Sequence, residues 1–269
     1  MFRLLALFLP SLALAALPAS VPHLDAGGQA SYRDFLAAAS PRAFTIAPGG
    51  AHAWVAEAAN EDAAVERALE ACRALGEQRC VPFVANDRLL FDAGRWPALW
   101  EPYPDAAASA SAVVGMKRGM RFPDLSLTDA AGKRIKLSDL DGRVRVLHFW
   151  GSWCPHCRKE MPDLQRLAGQ LKREKVAFVL VQVREDVAAA RAWLKQEKIA
   201  LALYDSGVRS ARDAALPLAG GGVLADREIA RAFPSTYVIG RHGVVLFSHT
   251  GPIPDWSQYA AFLRHAARL

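Results

Sequence analysis

The sequence predicts an α/β protein built from two unequal modules, and three observations carry that prediction. Residues 144–150 and 176–183 are nearly continuous apolar runs. They flank a segment in which Met161, Leu164, Leu167, Ala168 and Leu171 recur at helical spacing, the pattern of two buried parallel strands joined by a crossover helix. Upstream, Ala63, Val65, Ala68, Leu69, Cys72 and Leu75 form a helical stripe between short strand-like segments, marking a smaller α/β unit at about 20–96. Between the two, the stretch 97–118 mixes small residues with proline and carries no hydrophobic period, the composition of a linker in which the alanine run could form one helical turn or two.

The 269 residues are 52% hydrophobic and 22% charged, which excludes a disordered, collagen-like or coiled-coil chain. The net charge of +6 is unevenly spread: up to residue 115 there are 8 basic and 12 acidic residues, and after it 25 and 15. The basic residues of the second half, Lys133, Arg134, Lys172, Arg173, Arg209 and Arg212 among them, are scattered, with no aromatic interleaving or base-reading motif. A nucleic-acid partner is therefore not expected.

In chain order, Met1-Phe2-Arg3, the apolar run Leu4–Ala16 and Ala13-Leu14-Ala15 read as a secretory signal peptide, residues 1–16, and place the mature protein in the periplasm. An uncleaved membrane anchor is the alternative. Helices are expected at Ser31–Ala39 and Asp62–Leu75, and strands at Ala43–Ile46, Ala51–Glu57 and Val81–Val84. From Arg121 onward the prediction is a hairpin about Asp129–Gly132, strand 144–150, its helix, strand 176–183, helix Val187–Glu197 and strand Leu201–Tyr204. A strand pair, Thr236–Ile239 and Val244–His249, and a closing helix Trp256–Ala267 complete the series. Gly220-Gly221-Gly222 lacks the strand before and helix after it that a nucleotide loop needs, and reads as flexible loop.

The chemistry concentrates in Cys154-Pro155-His156-Cys157, placed where a buried strand hands over to a helix. Free N–H groups and the positive end of the helix dipole would stabilise a thiolate at Cys154, while Cys157, one turn on, can close a small disulfide ring. Pro155 at the first helical position forfeits no hydrogen bond. Half of a zinc site would need two further ligands at metal spacing, and Cys72 and Cys80 lie in the other module. A purely structural bridge three residues long would staple almost nothing.

With Phe122-Pro-Asp-Leu-Ser-Leu-Thr-Asp, Leu137-Ser-Asp-Leu and Phe149-Trp-Gly-Ser-Trp-Cys-Pro-His-Cys-Arg-Lys-Glu-Met-Pro162, residues 119–269 resemble the TlpA/ResA/CcmG-like branch of the thioredoxin superfamily. The resemblance implies a thioredoxin-like fold, a central mixed sheet flanked by helices, preceded here by the small α/β module. It implies Cys154 as attacking thiol and Cys157 as resolving thiol. Phe233-Pro234-Ser235-Thr236-Tyr237 matches the family's cis-proline loop, which makes Pro234 part of the site and Phe233 and Ser235 the substrate-facing residues. Glu160 sits where ResA-like members carry an acidic residue suggested to move protons during exchange; a solvated helix-surface glutamate is the alternative. Trp150 and Trp153 match the aromatic frame that packs around the site.

Two departures bear on direction. His148 takes the strand position where thioredoxins have a buried Asp and TlpA-like proteins an Asn; it reads either as a neutral core histidine or as a group that tunes Cys157. The Pro155-His156 dipeptide is the one characteristic of DsbA-like oxidants, and a cationic His156 would stabilise the Cys154 thiolate. Oxidant and reductant lie about 150 mV apart, or about 7 kcal/mol.

The expected function is a periplasmic disulfide reductase acting on exported client proteins with disulfides or thiols. It would be re-reduced by a membrane donor of the DsbD/CcdA type and need no cofactor, with cytochrome c maturation as one candidate pathway. The alternatives are a DsbA-like oxidant or isomerase, and a copper-binding metallochaperone using the same cysteines with His156 and Met161. Cys72 and Cys80, bracketing a helix end and a turn, are expected to form a structural disulfide in an oxidising compartment, with free thiols or a second redox pair passing electrons to Cys154 as the alternatives. The N-terminal module is expected to bind a partner or to stabilise.

Overall fold

The computed structural model describes residues 17–75, 79–101, 103–229 and 232–269. The expected signal peptide, 1–16, lies outside the described residues. The N-terminal module begins with α1 (Ala26–Ala37), which starts five residues before the expected Ser31 because the Asp25 carboxylate accepts from Gly28 N and caps the helix there. Next come β1 (Ala43–Ile46), β2 (His52–Val55), α2 (Glu61–Arg73), β3 (Val81–Ala85) and β4 (Arg88–Leu89). The strands form one antiparallel sheet in the order β2-β1-β3-β4. Its core is aromatic: Tyr32 and Phe35 of α1 meet Phe44 of β1 and Phe83 of β3.

The segment read as a linker carries structure of its own. A 3-10 helix (Ala93–Trp100) caps on Asp92, and α3 (Ala106–Ser111) caps on Asp105. Trp96 and Leu99 belong to the aromatic core of the first module, whereas Trp100, 2% exposed, stacks on Phe262 at 4.0 Å inside the core of the second. Truncating an indole buried like this costs on the order of 3–5 kcal/mol, so this segment fastens as well as connects. Proline and small residues conceal this in the sequence, because single tryptophans have no period to detect.

The second module continues with β5 (Ser126–Thr128), β6 (Arg134–Lys136), β7 (Val144–Trp150), α4 (Pro155–Gln170), β8 (Val176–Gln182), α5 (Val187–Gln196) and β9 (Leu203–Tyr204). After these come β10 (Ala215–Pro217), β11 (Val223–Ala225), α6 (Asp226–Ile229), β12 (Ser235–Ile239) and β13 (Val245–Thr250), then a 3-10 turn (Trp256–Tyr259) leading into α7 (Ala260–Arg268). The main sheet has the order β13-β12-β7-β8-β9, with β7, β8 and β9 parallel and β12 and β13 antiparallel. This is the expected thioredoxin-like mixed sheet. Every residue of β7 is buried, and its side chains alternate. Val144, Val146 and Trp150 join α4, α5 and α7, while Leu147 and Phe149 join the opposite core formed with β5, β10, β11 and α6.

The triple glycine is not a loose loop. Gly221 and Gly222, at φ of 93° and 82°, turn the β10–β11 hairpin, with Gly221 N donating to the Leu218 carbonyl. Its strands of three residues are too short to show alternation in the sequence. Among the described residues no helix is long and apolar enough to cross a membrane.

Candidate functional site

Cys154 and Cys157 form a disulfide at the start of α4. Cys154 is the residue preceding the first helical position, Pro155, and its sulfur accepts from Cys157 N at 3.2 Å. That backbone donor and the dipole of a sixteen-residue helix both favour a thiolate at Cys154 once the bridge is reduced. Cys154 is 4% exposed and Cys157 wholly buried, so an incoming disulfide meets Cys154 first. His156 projects at the exposed helix start.

Across from the pair runs the 233–237 segment, in which the Phe233–Pro234 peptide is cis and the Phe233 carbonyl oxygen lies 3.5 Å from Cys154 Sγ. Phe233 is half-buried. It meets Trp153 edge-on at 6.4 Å, and the Arg184 guanidinium lies 5.7 Å over its ring. Ser235, expected to face substrate, instead turns inward: it is buried, and its hydroxyl donates to the Ala232 carbonyl at 2.6 Å. It therefore braces the loop.

Trp153 is 48% exposed yet fixed, because its indole N–H donates to the Val183 carbonyl at 3.0 Å. Its ring lies over Gly151, where a Cβ would come within 2.2 Å of the indole nitrogen. Only glycine leaves that space. Ser152 donates from its backbone N–H and its hydroxyl to Glu185, and Arg184 pairs with the buried carboxylate of Asp226. No local pattern marks these ties, since neither acidic residue belongs to a motif.

Behind the pair the side chains are polar and buried. Glu160, one turn after Cys157 on the same helix face, is 4% exposed and not a solvated surface residue. Its Oε2 accepts from Ile253 N at 3.0 Å and from the Trp256 indole at 3.1 Å. Burial outweighs those two bonds and raises the carboxyl to about 7. His148 Nε2 stands 3.4 Å from Glu160 Oε1, and its Nδ1 is 2.9 Å from the hydroxyl of Thr236. Thr236 and His148 are direct cross-strand partners of β12 and β7, and alternation from Pro234 was the signal that could have found Thr236. Burial holds the imidazole neutral, at about 3. Met161 is wholly buried among the leucines of α4, whereas His156 is exposed. Cys72 and Cys80 are disulfide-bonded to each other and buried in the other module against Ala47.

A buried strand delivering a helix-start cysteine pair opposite a cis-proline segment defines the thioredoxin-like class. The family model described as Redoxin matches residues 117–263, more than half of the chain, and the chain belongs to that family. It is a thiol-disulfide oxidoreductase of the ResA/TlpA type. Among relatives, the thioredoxin-like protein YneN of Bacillus subtilis (strain 168) is 30% identical over 138 residues, covering 51% of this chain and 74% of YneN. The thiol-disulfide oxidoreductase ResA of Halalkalibacterium halodurans is 26% identical over 140 residues, 52% of this chain and 72% of ResA. Among solved structures, StoA from Bacillus subtilis superposes with a TM-score of 0.41 at 20% identity, covering 53% of this chain and 98% of StoA.

Proposed function

We propose that this protein is a periplasmic disulfide reductase acting on exported client proteins. In the reduced state the Cys154 thiolate attacks a client disulfide, forming a mixed disulfide and releasing one client thiolate. Cys157 then loses its proton and attacks Cys154 Sγ. The second client thiolate leaves, two electrons have passed to the client, and the Cys154–Cys157 bridge has formed. A membrane donor of the DsbD/CcdA type returns the two electrons, and cytochrome c maturation is a candidate pathway. The Phe233–Pro234 segment offers backbone to an extended client strand, with Trp153 and Phe233 as its apolar wall.

The observation that carries this reading is the buried Glu160 carboxyl, poised at about 7 one turn beyond Cys157. A wholly buried thiol needs a nearby base to become a nucleophile, and a carboxyl matched to neutral pH serves as one. For the reductive direction, the support is the sequence likeness of this domain to ResA and YneN. His156, exposed beside Cys154, favours a second reading as an oxidant.

The equilibrium reduction potential of the Cys154–Cys157 pair, with Cys72 and Cys80 changed to Ala, separates the two. A value below about −220 mV supports the reductase, and one above about −160 mV replaces it with the oxidant or isomerase.

A further inference from the structure

The donors that hold Glu160 belong to the 253–259 segment, and the N-terminal module grips that segment from its other end. Trp256 and Tyr259 begin and end a single 3-10 turn, in which residues three apart eclipse one another; their rings lie 5.9 Å apart. Trp256 donates to Glu160, while Tyr259 and the His23 imidazole form a T-shaped pair with centroids 4.8 Å apart. His23 N donates to Gln258 Oε1 at 2.6 Å, and Gln258 Nε2 donates to Asp255, the residue that caps the turn. His23 is 5% exposed, receives the Trp96 indole N–H on Nε2, and sits at φ 63°, in the left-handed region that few residues other than glycine occupy.

We infer that His23 and Gln258 are positioning residues of the redox site, through which the N-terminal module fixes the two donors that orient the Glu160 carboxylate. The module is thereby part of the exchange machinery. This rests on the reading of Glu160 as the base for Cys157. The groups facing Glu160 are His148 from β7, Ile253 N and Trp256 from the gripped segment, and Asp163 on its own helix, whose charge disfavours the anion. Of these, the segment's donors belong to the element that His23 of the N-terminal module contacts. Loosening them leaves the carboxylate less stabilised, so its titration moves upward.

The test uses the full chain with a preformed Cys154–thionitrobenzoate mixed disulfide. Resolution by Cys157 releases a coloured thiolate, and its rate is followed against pH. Wild type shows an inflection near neutrality that Glu160→Gln abolishes. In His23→Ala and in Gln258→Ala the inflection rises by about half a pH unit or more. A Cys72→Ala/Cys80→Ala variant, which weakens the same module away from the contact, leaves the inflection where it was. An unmoved inflection in both contact variants overturns the inference, as does an equal shift in the disulfide variant, which would mark general loosening. Persistence of the inflection in Glu160→Gln overturns the reading of Glu160 itself, and the positioning role with it.

Discussion

His148 Nε2 and Glu160 Oε1 face each other at 3.4 Å in the core, and among the described residues neither atom has a hydrogen-bond partner. Each protonation state of the carboxyl has a matching neutral imidazole. Brought into hydrogen-bond geometry, a protonated Glu160 would donate to Nε2 while Nδ1–H donates to Thr236, and an ionised Glu160 would accept from Nε2–H while Nδ1 accepts the Thr236 hydroxyl. A proton can thus arrive at or leave Glu160 without creating a buried imidazolium.

The pair makes stability depend on pH in two opposed ways. Glu160 binds its proton more tightly when folded, at about 7 against an ordinary 4.5, so its contribution is complete below 4.5 and lost as pH rises toward 7. His148 binds its proton less tightly when folded, at about 3 against 6.5, so its contribution grows from about 3 to 6.5. Between 4.5 and 6.5 the two slopes cancel in wild type. Glu160→Gln is therefore expected to gain stability with rising pH across that window, at up to about 1.4 kcal/mol per unit, and His148→Asn to lose it at a similar rate. Urea unfolding at a series of pH values reads both; a Glu160→Gln profile parallel to wild type would refute the assignment.

Removing the indole donor tests the anion directly. In Trp256→Phe, Glu160 Oε2 keeps only Ile253 N, so the ionised carboxyl loses a bond that the protonated one needs less. The carboxyl should titrate still higher, and the stability loss should exceed that at pH 5.5 by about 1 kcal/mol when measured at pH 8.5. Equal losses at both values would show that the indole merely packs.

The parts of this molecule that could be read in the sequence are those whose cause is local. Cys154 and Cys157 announce themselves because a buried strand, an N1 proline and a helical stripe occur side by side, and the hairpins at Asp129 and Gly240 because turn residues sit between alternating runs. The family likeness placed Glu160 and Pro234, and left open whether Glu160 is buried. What decides that are Ile253 and Trp256, 93 and 96 positions away, which no local pattern marks. The same holds for Trp100, whose neighbours predict a linker while its own ring stacks on Phe262. The inward turn of the Ser235 hydroxyl is hidden for a different reason: likeness to the loop gives a residue's place but not the direction of its side chain.

The Cys72–Cys80 bridge spans a separation of 8 residues in the N-terminal module. A loop of that size restricts the unfolded chain by about 2.5 kcal/mol. Cys72→Ala/Cys80→Ala should unfold at correspondingly lower denaturant while the potential of the Cys154–Cys157 pair stays unchanged. A shifted potential would instead connect the two bridges chemically.

Arg184 and Asp226 tie the end of β8 to the short helix that leads into the Phe233–Pro234 segment. Asp226 is 2% exposed, and among the described residues its Oδ1 has no hydrogen-bond partner while Arg184 pairs with its Oδ2, so the Arg184 guanidinium is the compensation these residues supply. Arg184→Met keeps the side-chain stem over Phe233 but strands a buried carboxylate, at a cost of about 3 kcal/mol. Arg184→Met/Asp226→Leu removes both charges and should recover a large part of that loss, since no uncompensated charge remains. Because the charge pair lies on the segment facing Cys154 and not behind Cys157, the single variant should slow exchange with a client disulfide while leaving the pH inflection of Cys157 resolution in place. Urea unfolding of the three proteins, with the two rates measured on each, tests both halves. A double variant less stable than Arg184→Met would mean that the ion pair is not what the segment relies on.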